Sequence, residues 1–299
     1  MACDAPLSIR YNPPLDDGKG GRIYCFPADC GKCIKCLTKR KAAWSFRIAE
    51  EARKGFSATF VTLTYEDKYL TMGDHGPTIN KQDHFTFIKK LKELEKSKVL
   101  ELRPYISQEE LHRKSYGIKE EGKLAYYGIS EYGDRLGRPH WHYILINVRD
   151  YNNIALAWPY GLIHIDECNM NTIDYVLKYM IKENKNNESK AKEVSFMSKG
   201  IGLSAMDSEF EKFIQAPDAN HIINGRGAKI ALPRYYRKKF CSSDVRAAKG
   251  AYIAEAIQQK EAKQDTTYSE LKLNPDEVRL QGKENRLNLL KNRSKRTMQ

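Results

Sequence analysis

The stretch that most constrains this chain is Pro139-His140-Trp141-His142-Tyr-Ile-Leu-Ile146, which reads as a β-strand. Side chains alternate along a strand, so His140 and His142 fall on one face of the sheet. Upstream lie Ile129-Ser-Glu131-Tyr and a turn-rich connector, Gly133-Asp-Arg-Leu-Gly137. Two β-rich runs around such a connector are a hairpin signature, here Leu124 to Tyr132 with Pro139 to Val148. If Glu131 stands opposite His140 or His142, two imidazoles and a carboxylate converge on one point. A slip of one residue sends Glu131 to the other face. Imidazole is the commonest protein ligand for a divalent ion. Two histidines and one carboxylate leave coordination positions open, which suits a catalytic ion better than a structural one.

Charge narrows the partner. The 299 residues carry 51 basic and 38 acidic side chains, a net charge of +13. That favours an anionic partner, nucleic acid first and an acidic membrane surface second. Hydrophobic residues make up 41%, enough for a packed core. No run approaches the ~18 apolar residues of a membrane span, and the first residues lack a secretory pattern. Seven cysteines, an odd number, do not suit a secreted disulfide framework. A soluble protein of a reducing compartment is expected.

Residues 1 to 37 read as irregular. They hold Cys30-Gly-Lys-Cys33-Ile-Lys-Cys36, two overlapping C-x-x-C steps that let thiolates share one ion. A tetrahedral structural zinc needs a fourth ligand, for which Cys3 and Cys25 are candidates. Thr38 then caps a basic helix running to about Lys54, with Gly55 as its stop. Ser57 to Tyr65 is β-branched and aromatic and reads as a buried strand. Asp83 caps a helix with Phe87, Ile88, Leu91 and Leu94 on one stripe. Residues 97 to 122 are charged and indistinct. Asp150 to Trp158 reads as a helical turn. Gly161 to Cys168 reads as a strand whose His164 is an alternative ligand.

Residues 171 to 183 form the second chemical element, a helix capped by Asn171 or Thr172. Ile173, Val176, Leu177, Met180 and Ile181 make one stripe; Tyr175, Lys178, Tyr179 and Lys182 make another, nearly opposite. Tyrosines four apart on a helix point the same way. A tyrosine phenol becomes a nucleophile once deprotonated, though its free pKa is about 10; neighbouring Lys178 and Lys182 favour the phenolate. Attack on a DNA phosphate polarised by a bound ion would give a covalent phosphotyrosine. The tyrosine stripe must then face the histidines, with residues from about 200 to 240 covering the apolar stripe. Residues 184 to 200 read as a polar loop. Leu232-Pro-Arg-Tyr-Tyr-Arg-Lys-Lys-Phe240 interleaves aromatics with cations, a pattern that suits base stacking as well as packing. From Asp244 the chain reads as charged helix, and residues 283 to 299 carry six basic side chains against one acidic.

In this order, CGKCIKC with a basic helix, FVTLTY, SEYGDRLGRPHWHYILIN, DYVLKYMIK and LPRYYRKKF resemble the HUH endonucleases that initiate rolling-circle replication. The closer resemblance is to replication initiators of the microviruses, the gokushoviruses in particular. It covers roughly residues 1 to 240. It implies an α+β fold, a central antiparallel sheet of ferredoxin-like type flanked by helices, with a helical C-terminal extension. It implies a Cys-rich segment and basic helix over 1–56, an endonuclease core over 57–200, a packing or DNA-contacting extension over 201–243 and a charged helical tail over 244–299. His140, His142 and Glu131 take the positions that hold Mg²⁺ or Mn²⁺. Tyr175 and Tyr179 take the nucleophile positions, accompanied by Lys178 and Lys182. The implied partners are single-stranded and origin DNA and the host replication machinery, in the host bacterial cytoplasm. The implied activity nicks one strand, keeps its 5′ end on tyrosine and later rejoins it as a circle. Two other readings stand: a non-catalytic nucleic-acid-binding protein with packed histidines, and a metal hydrolase that uses water.

Overall fold

The computed structural model describes residues 3–16, 21–102, 122–133, 135–181, 190–274, 276–278, 280–282 and 284–285. The chain divides into two compact units. One comprises Ser45–Tyr179 and Glu183–Asp207; the other comprises Met1–Trp44, Met180–Lys182 and Ser208–Gln299.

In chain order the elements begin with β1 (Leu7–Asp16), β2 (Arg22–Ala28), α1 (Ile34–Lys54) and β3 (Ala58–Leu63). There follow β4 (Met72–Gly73), β5 (Gly76–Pro77), α2 (Lys81–Leu102), β6 (Ala125–Tyr132), β7 (Pro139–Ile146), α3 (Asn152–Ala157), β8 (Ile163–Glu167) and α4 (Met170–Leu177). The remainder is β9 (Ser195–Met197), α5 (Ser208–Gln215), β10 (His221–Ile223), β11 (Lys229–Ala231), α6 (Arg234–Phe240) and α7 (Ser243–Glu270). The expected α+β class is the one found: an antiparallel five-stranded sheet, helices around it, and a helical C-terminal region.

The sheet runs β8-β3-β7-β6-β9, with the histidine strand β7 at its centre. The β6–β7 hairpin is closed by Gly133–Gly137, whose Gly133 amide donates to the Arg138 carbonyl at 2.9 Å. Gly137 turns the chain at φ +60°, a conformation that costs a residue with a Cβ. Period-two alternation divides the sheet into two faces. Val61 and Leu63 of β3 and Trp141, Tyr143 and Leu145 of β7 join Phe87, Ile88 and Leu91 of α2 and Ile154, Ala157 and Trp158 around α3 in the core. The opposite face carries Phe60, Thr62, His140, His142 and Ile144. Close packing fixes this register: a Cβ on Gly128 would come within 2.4 Å of the fully buried Tyr143 ring. Helix α4 packs on β7, and its Ile173, Val176 and Leu177 are buried.

The second unit contains the β1–β2 ribbon, the β10–β11 hairpin and helices α5 to α7. Ile214, Ile222, Leu232, Tyr236 and Cys241 are buried in it, and Phe210 meets the Tyr236 ring edge-on at 5.3 Å. Among the described residues no helix is long and apolar enough to cross a membrane.

Several local expectations are corrected. Residues 1 to 37 are not irregular: β1 and β2 pair antiparallel, with an irregularity between Arg10 and Leu15 where the two prolines fall. Thr38 lies inside α1 and donates its hydroxyl to the Ile34 carbonyl at 2.8 Å, because the helix already begins at Ile34. Asn80, not Asp83, accepts from the first backbone amides of α2, at Gln82 (3.0 Å); Asp83 instead accepts from the Tyr65 hydroxyl at 2.9 Å. The segment read as a polar loop contains β9, whose Tyr127↔Met197 pairing extends the sheet beyond β6. Residues 103–121 lie outside the described residues, as do 182–189 and 286–299.

One buried polar residue ties this core to pH. His84 is fully buried; its Nδ1 pairs with the Tyr143 hydroxyl at 2.9 Å and its ring stacks on Phe196 at 4.2 Å. Burial first, then the Lys92 charge, lowers its pKa to about 4. Between about pH 6.5 and 4 the unfolded chain therefore binds a proton that the folded protein refuses, so stability falls as pH falls through that window. His142 is depressed in the same direction by burial, so the two share the effect. Denaturant midpoints measured at pH 8 and pH 5 should show His84→Phe losing less stability over that span than wild type, by on the order of 1–2 kcal/mol. An identical acid slope in both proteins would contradict this assignment.

Candidate active site

The site is built on the sheet register. Glu131 of β6 stands directly opposite His140 of β7, and Ile129 stands opposite His142. Glu131 therefore shares a face with both histidines, and one of its oxygens serves both. Oε2 lies 3.1 Å from His142 Nε2 and 3.5 Å from His140 Nε2. The side chains of Glu131 and His142 are almost completely buried, and that of His140 is 19% exposed.

The surroundings orient the rings. His140 Nδ1 faces the Arg138 carbonyl at 3.3 Å, and a carbonyl only accepts, so Nδ1 carries the proton there. His140 Nε2 then presents a lone pair to a carboxylate oxygen, an arrangement that calls for a cation between them, a proton or a metal ion. His142 Nδ1 meets the Thr62 hydroxyl at 3.0 Å, and Phe60 stacks on its ring at 5.6 Å. Burial alone would raise the Glu131 pKa. Hydrogen bonds and charge from His140 and His142 outweigh it and hold the carboxyl down, at about 2.

The residues fit a divalent ion. One ligand atom from each of Glu131, His140 and His142 lies within 4.8 Å of the others. An octahedral ion with ~2.1 Å bonds sets neighbouring ligand atoms ~3.0 Å apart, close to the spacings found. His164 does not join this set. It lies in register with Thr62 on the edge strand β8, exposed and ion-paired with Asp166 at 2.8 Å.

The tyrosines arrive from α4. Asn169 caps that helix in a capping box with Thr172, which displaces the expected caps Asn171 and Thr172 to positions inside it. The helix ends at Leu177, shorter than its periodicity suggested, and Lys178–Met180 continue as a 3₁₀ turn. Tyr175 thus lies in the last α-helical turn and Tyr179 in the tighter one. The Tyr175 hydroxyl donates to Glu131 Oε2 at 3.3 Å, and its ring stands edge-on to His142 at 5.2 Å and to Phe60 at 5.9 Å. Tyr179 stands edge-on to Tyr175 at 6.2 Å. The Lys178 ammonium lies 3.8 Å from the Tyr175 ring centroid and 5.0 Å from that of Tyr179. Lys182 lies outside the described residues. Neither Thr62 nor Phe60 stood out in the sequence, because their roles depend on the pairing Thr62↔His142, which no local pattern reveals.

The other unit holds a second donor cluster. Cys3, Cys30, Cys33 and Cys36 bring their sulfurs within 4.8 Å of one another, with Cys3–Cys33 at 3.8 Å and Cys30–Cys36 at 3.9 Å. Backbone amides of Lys32 and Cys33 donate to Cys30 Sγ, and that of Cys30 donates to Cys3 Sγ. Cys25 is exposed on β2 and is not among the four.

Residues 58–184 match the family of replication-associated proteins named for ORF2. The chain is 25% identical over 261 residues to the replication-associated protein ORF4 of Chlamydia phage 1, an alignment covering 77% of this chain and 58% of that relative. It is 23% identical over 263 residues to the replication-associated protein VP4 of Bdellovibrio phage phiMH2K, covering 79% of this chain and 76% of the relative. No solved structure matches. The resemblance to microvirus replication initiators drawn from the motifs is borne out by these matches.

Proposed function

We propose that this chain starts rolling-circle replication of a small circular single-stranded DNA phage, as a divalent-metal-dependent nickase and strand-transferase. The observation that carries the reading is the single oxygen, Glu131 Oε2, shared by two imidazoles and the Tyr175 phenol. An ion held by Glu131, His140 and His142 would polarise a phosphoryl oxygen as a Lewis acid. Mg²⁺ or Mn²⁺ suits a donor set with open positions and a carboxylate.

The chain's own residues supply the rest. The Lys178 ammonium over the Tyr175 ring favours the phenolate. The phenol oxygen forms the new bond to phosphorus as the bond to the 3′ oxygen breaks. The phenol proton ends, on balance, on the released 3′ hydroxyl, and the 5′ end stays on tyrosine. Attack of a 3′ hydroxyl on that phosphotyrosine reverses the exchange and rejoins the strand. Tyr179, packed edge-on against Tyr175, offers a second phenol for another round before the first product leaves. Origin DNA and the host replication machinery are the partners this role requires, in the host cytoplasm.

The four cysteines are assigned to a structural Zn²⁺. Tetrahedral zinc with ~2.3 Å bonds to sulfur sets the sulfurs ~3.8 Å apart, matching the spacings of 3.8 and 3.9 Å. Amide donors to Cys30 and Cys3 stabilise the thiolate form that zinc requires. Cys33 and Cys36 flank the start of α1 at Ile34, so the ion would tie that helix to residue 3.

Two experiments test this reading. With labelled single-stranded DNA and Mn²⁺, wild type should yield a covalent protein–DNA adduct, and Tyr175→Phe/Tyr179→Phe should yield none, with cleavage lowered at least ~10³-fold. Cleavage by the double variant that releases a free 5′ phosphate would replace the tyrosine mechanism with hydrolysis by water. For the cysteines, metal analysis and Co²⁺ substitution should give one thiolate-bound ion per chain, lost in Cys30→Ser/Cys33→Ser. A fully folded, metal-free protein with four titratable thiols would overturn that assignment.

A further inference from the structure

The unit that lacks the histidines contains a cavity of about 460 Å³ between α6 and the first turns of α7. Its lining is Arg234, Arg237, Lys238, Arg246, Lys249, Gly250 and Ile253: five cations and no carboxylate. Like charges this close repel, and each must be held in place by something other than an acid. Backbone carbonyls do this. The buried Lys249 ammonium donates to the Ala219 carbonyl at 2.9 Å and to that of Ala216. Arg246 donates to the Cys241 carbonyl at 3.1 Å. These contacts fix the cations without neutralising them. Among the described residues Arg237 Nε is buried without a hydrogen-bond partner. Such an orphaned donor costs on the order of 1–3 kcal/mol unless a ligand takes it.

Gly250 is the second observation. It sits inside α7, where glycine costs about 1 kcal/mol relative to alanine. No steric need within the protein accounts for it, since a Cβ there would meet nothing within 4 Å. What glycine leaves at this place is open space on the cavity wall, the condition for close approach of a ligand to the backbone.

We infer that this cavity binds a phosphate group, supplied by the backbone of single-stranded DNA. Its chemistry follows from the cations alone; the choice of DNA over free phosphate rests on the proposed replication role. Three arginines and two lysines around one opening, with an unfilled guanidinium N–H inside, match a phosphodiester's charge and acceptor oxygens. Sequence plays no part in such a contact, so the site would add affinity and grip rather than base recognition.

The test is binding of a fluorescent oligonucleotide by the full chain without divalent ions, so that no cleavage enters the measurement. Gly250→Glu puts a carboxylate into the cavity without displacing any atom, and Lys238→Gln removes one cation. Gly250→Glu should weaken binding about tenfold at moderate salt, with an unchanged melting temperature. In both variants the dependence of log K on log salt should flatten by about one unit. Affinity and slope equal to wild type in both would overturn the site. If inorganic phosphate stabilises wild type but not Gly250→Glu while DNA affinity is unaltered, the cavity takes free phosphate and the DNA assignment fails. Because the measurement omits the ion, failure of the nicking mechanism would leave its outcome intact.

Discussion

The structure depends on one buried carboxylate. Glu131 sits in a poorly hydrated pocket, where an isolated negative charge would be costly. It remains ionised because two imidazole nitrogens and a phenol hydroxyl converge on the same oxygen. Removing any of them leaves a charge with too few partners. The arrangement exists only in one strand register, Glu131 against His140. The hydrophobic alternation of β7, with Trp141, Tyr143 and Leu145 buried on the other face, enforces that register.

That alternation lets one strand serve two purposes. Its odd positions build the core with α2 and α3, and its even positions build the site beneath α4. Both faces are therefore packed, and the histidines gain their rigidity from neighbours that have no chemistry of their own. Phe60 fixes the plane of His142 and Thr62 holds its far nitrogen. A ligand set that is oriented before an ion arrives binds it with less reorganisation. The cysteine cluster and the cationic cavity belong to the other unit, so three kinds of site are distributed over two bodies of the same chain.

The sequence disclosed most where the signal was local. The β6–β7 hairpin, β3 and the tyrosine segment could be read from alternation, β-branching and turn residues. The convergence of Glu131 with the histidines was readable only as a condition on register. Where partners lie far apart in the chain, the reading ran out. Thr62 meets His142 across a strand pairing, and Cys3 joins Cys33 over 30 positions. The β1–β2 ribbon escaped notice because two prolines and a glycine-rich link break its alternation, and β9 because it is three residues long. Capping residues were misplaced by a few positions at α1, α2 and α4, since several side chains near each start could accept the same amides. The expected uniform tyrosine helix becomes an α-turn followed by a 3₁₀ turn at Lys178.

The central claim is that Glu131, His140 and His142 hold a divalent ion beside the Tyr175 phenol. Pulsed electron paramagnetic resonance of Mn²⁺ added to the protein reads its ligands directly. Nitrogen couplings from two imidazoles are predicted, falling to one in His140→Ala and weakening with loss of affinity in Glu131→Ala. A Mn²⁺ signal with water couplings alone, unchanged by these substitutions, would contradict the account.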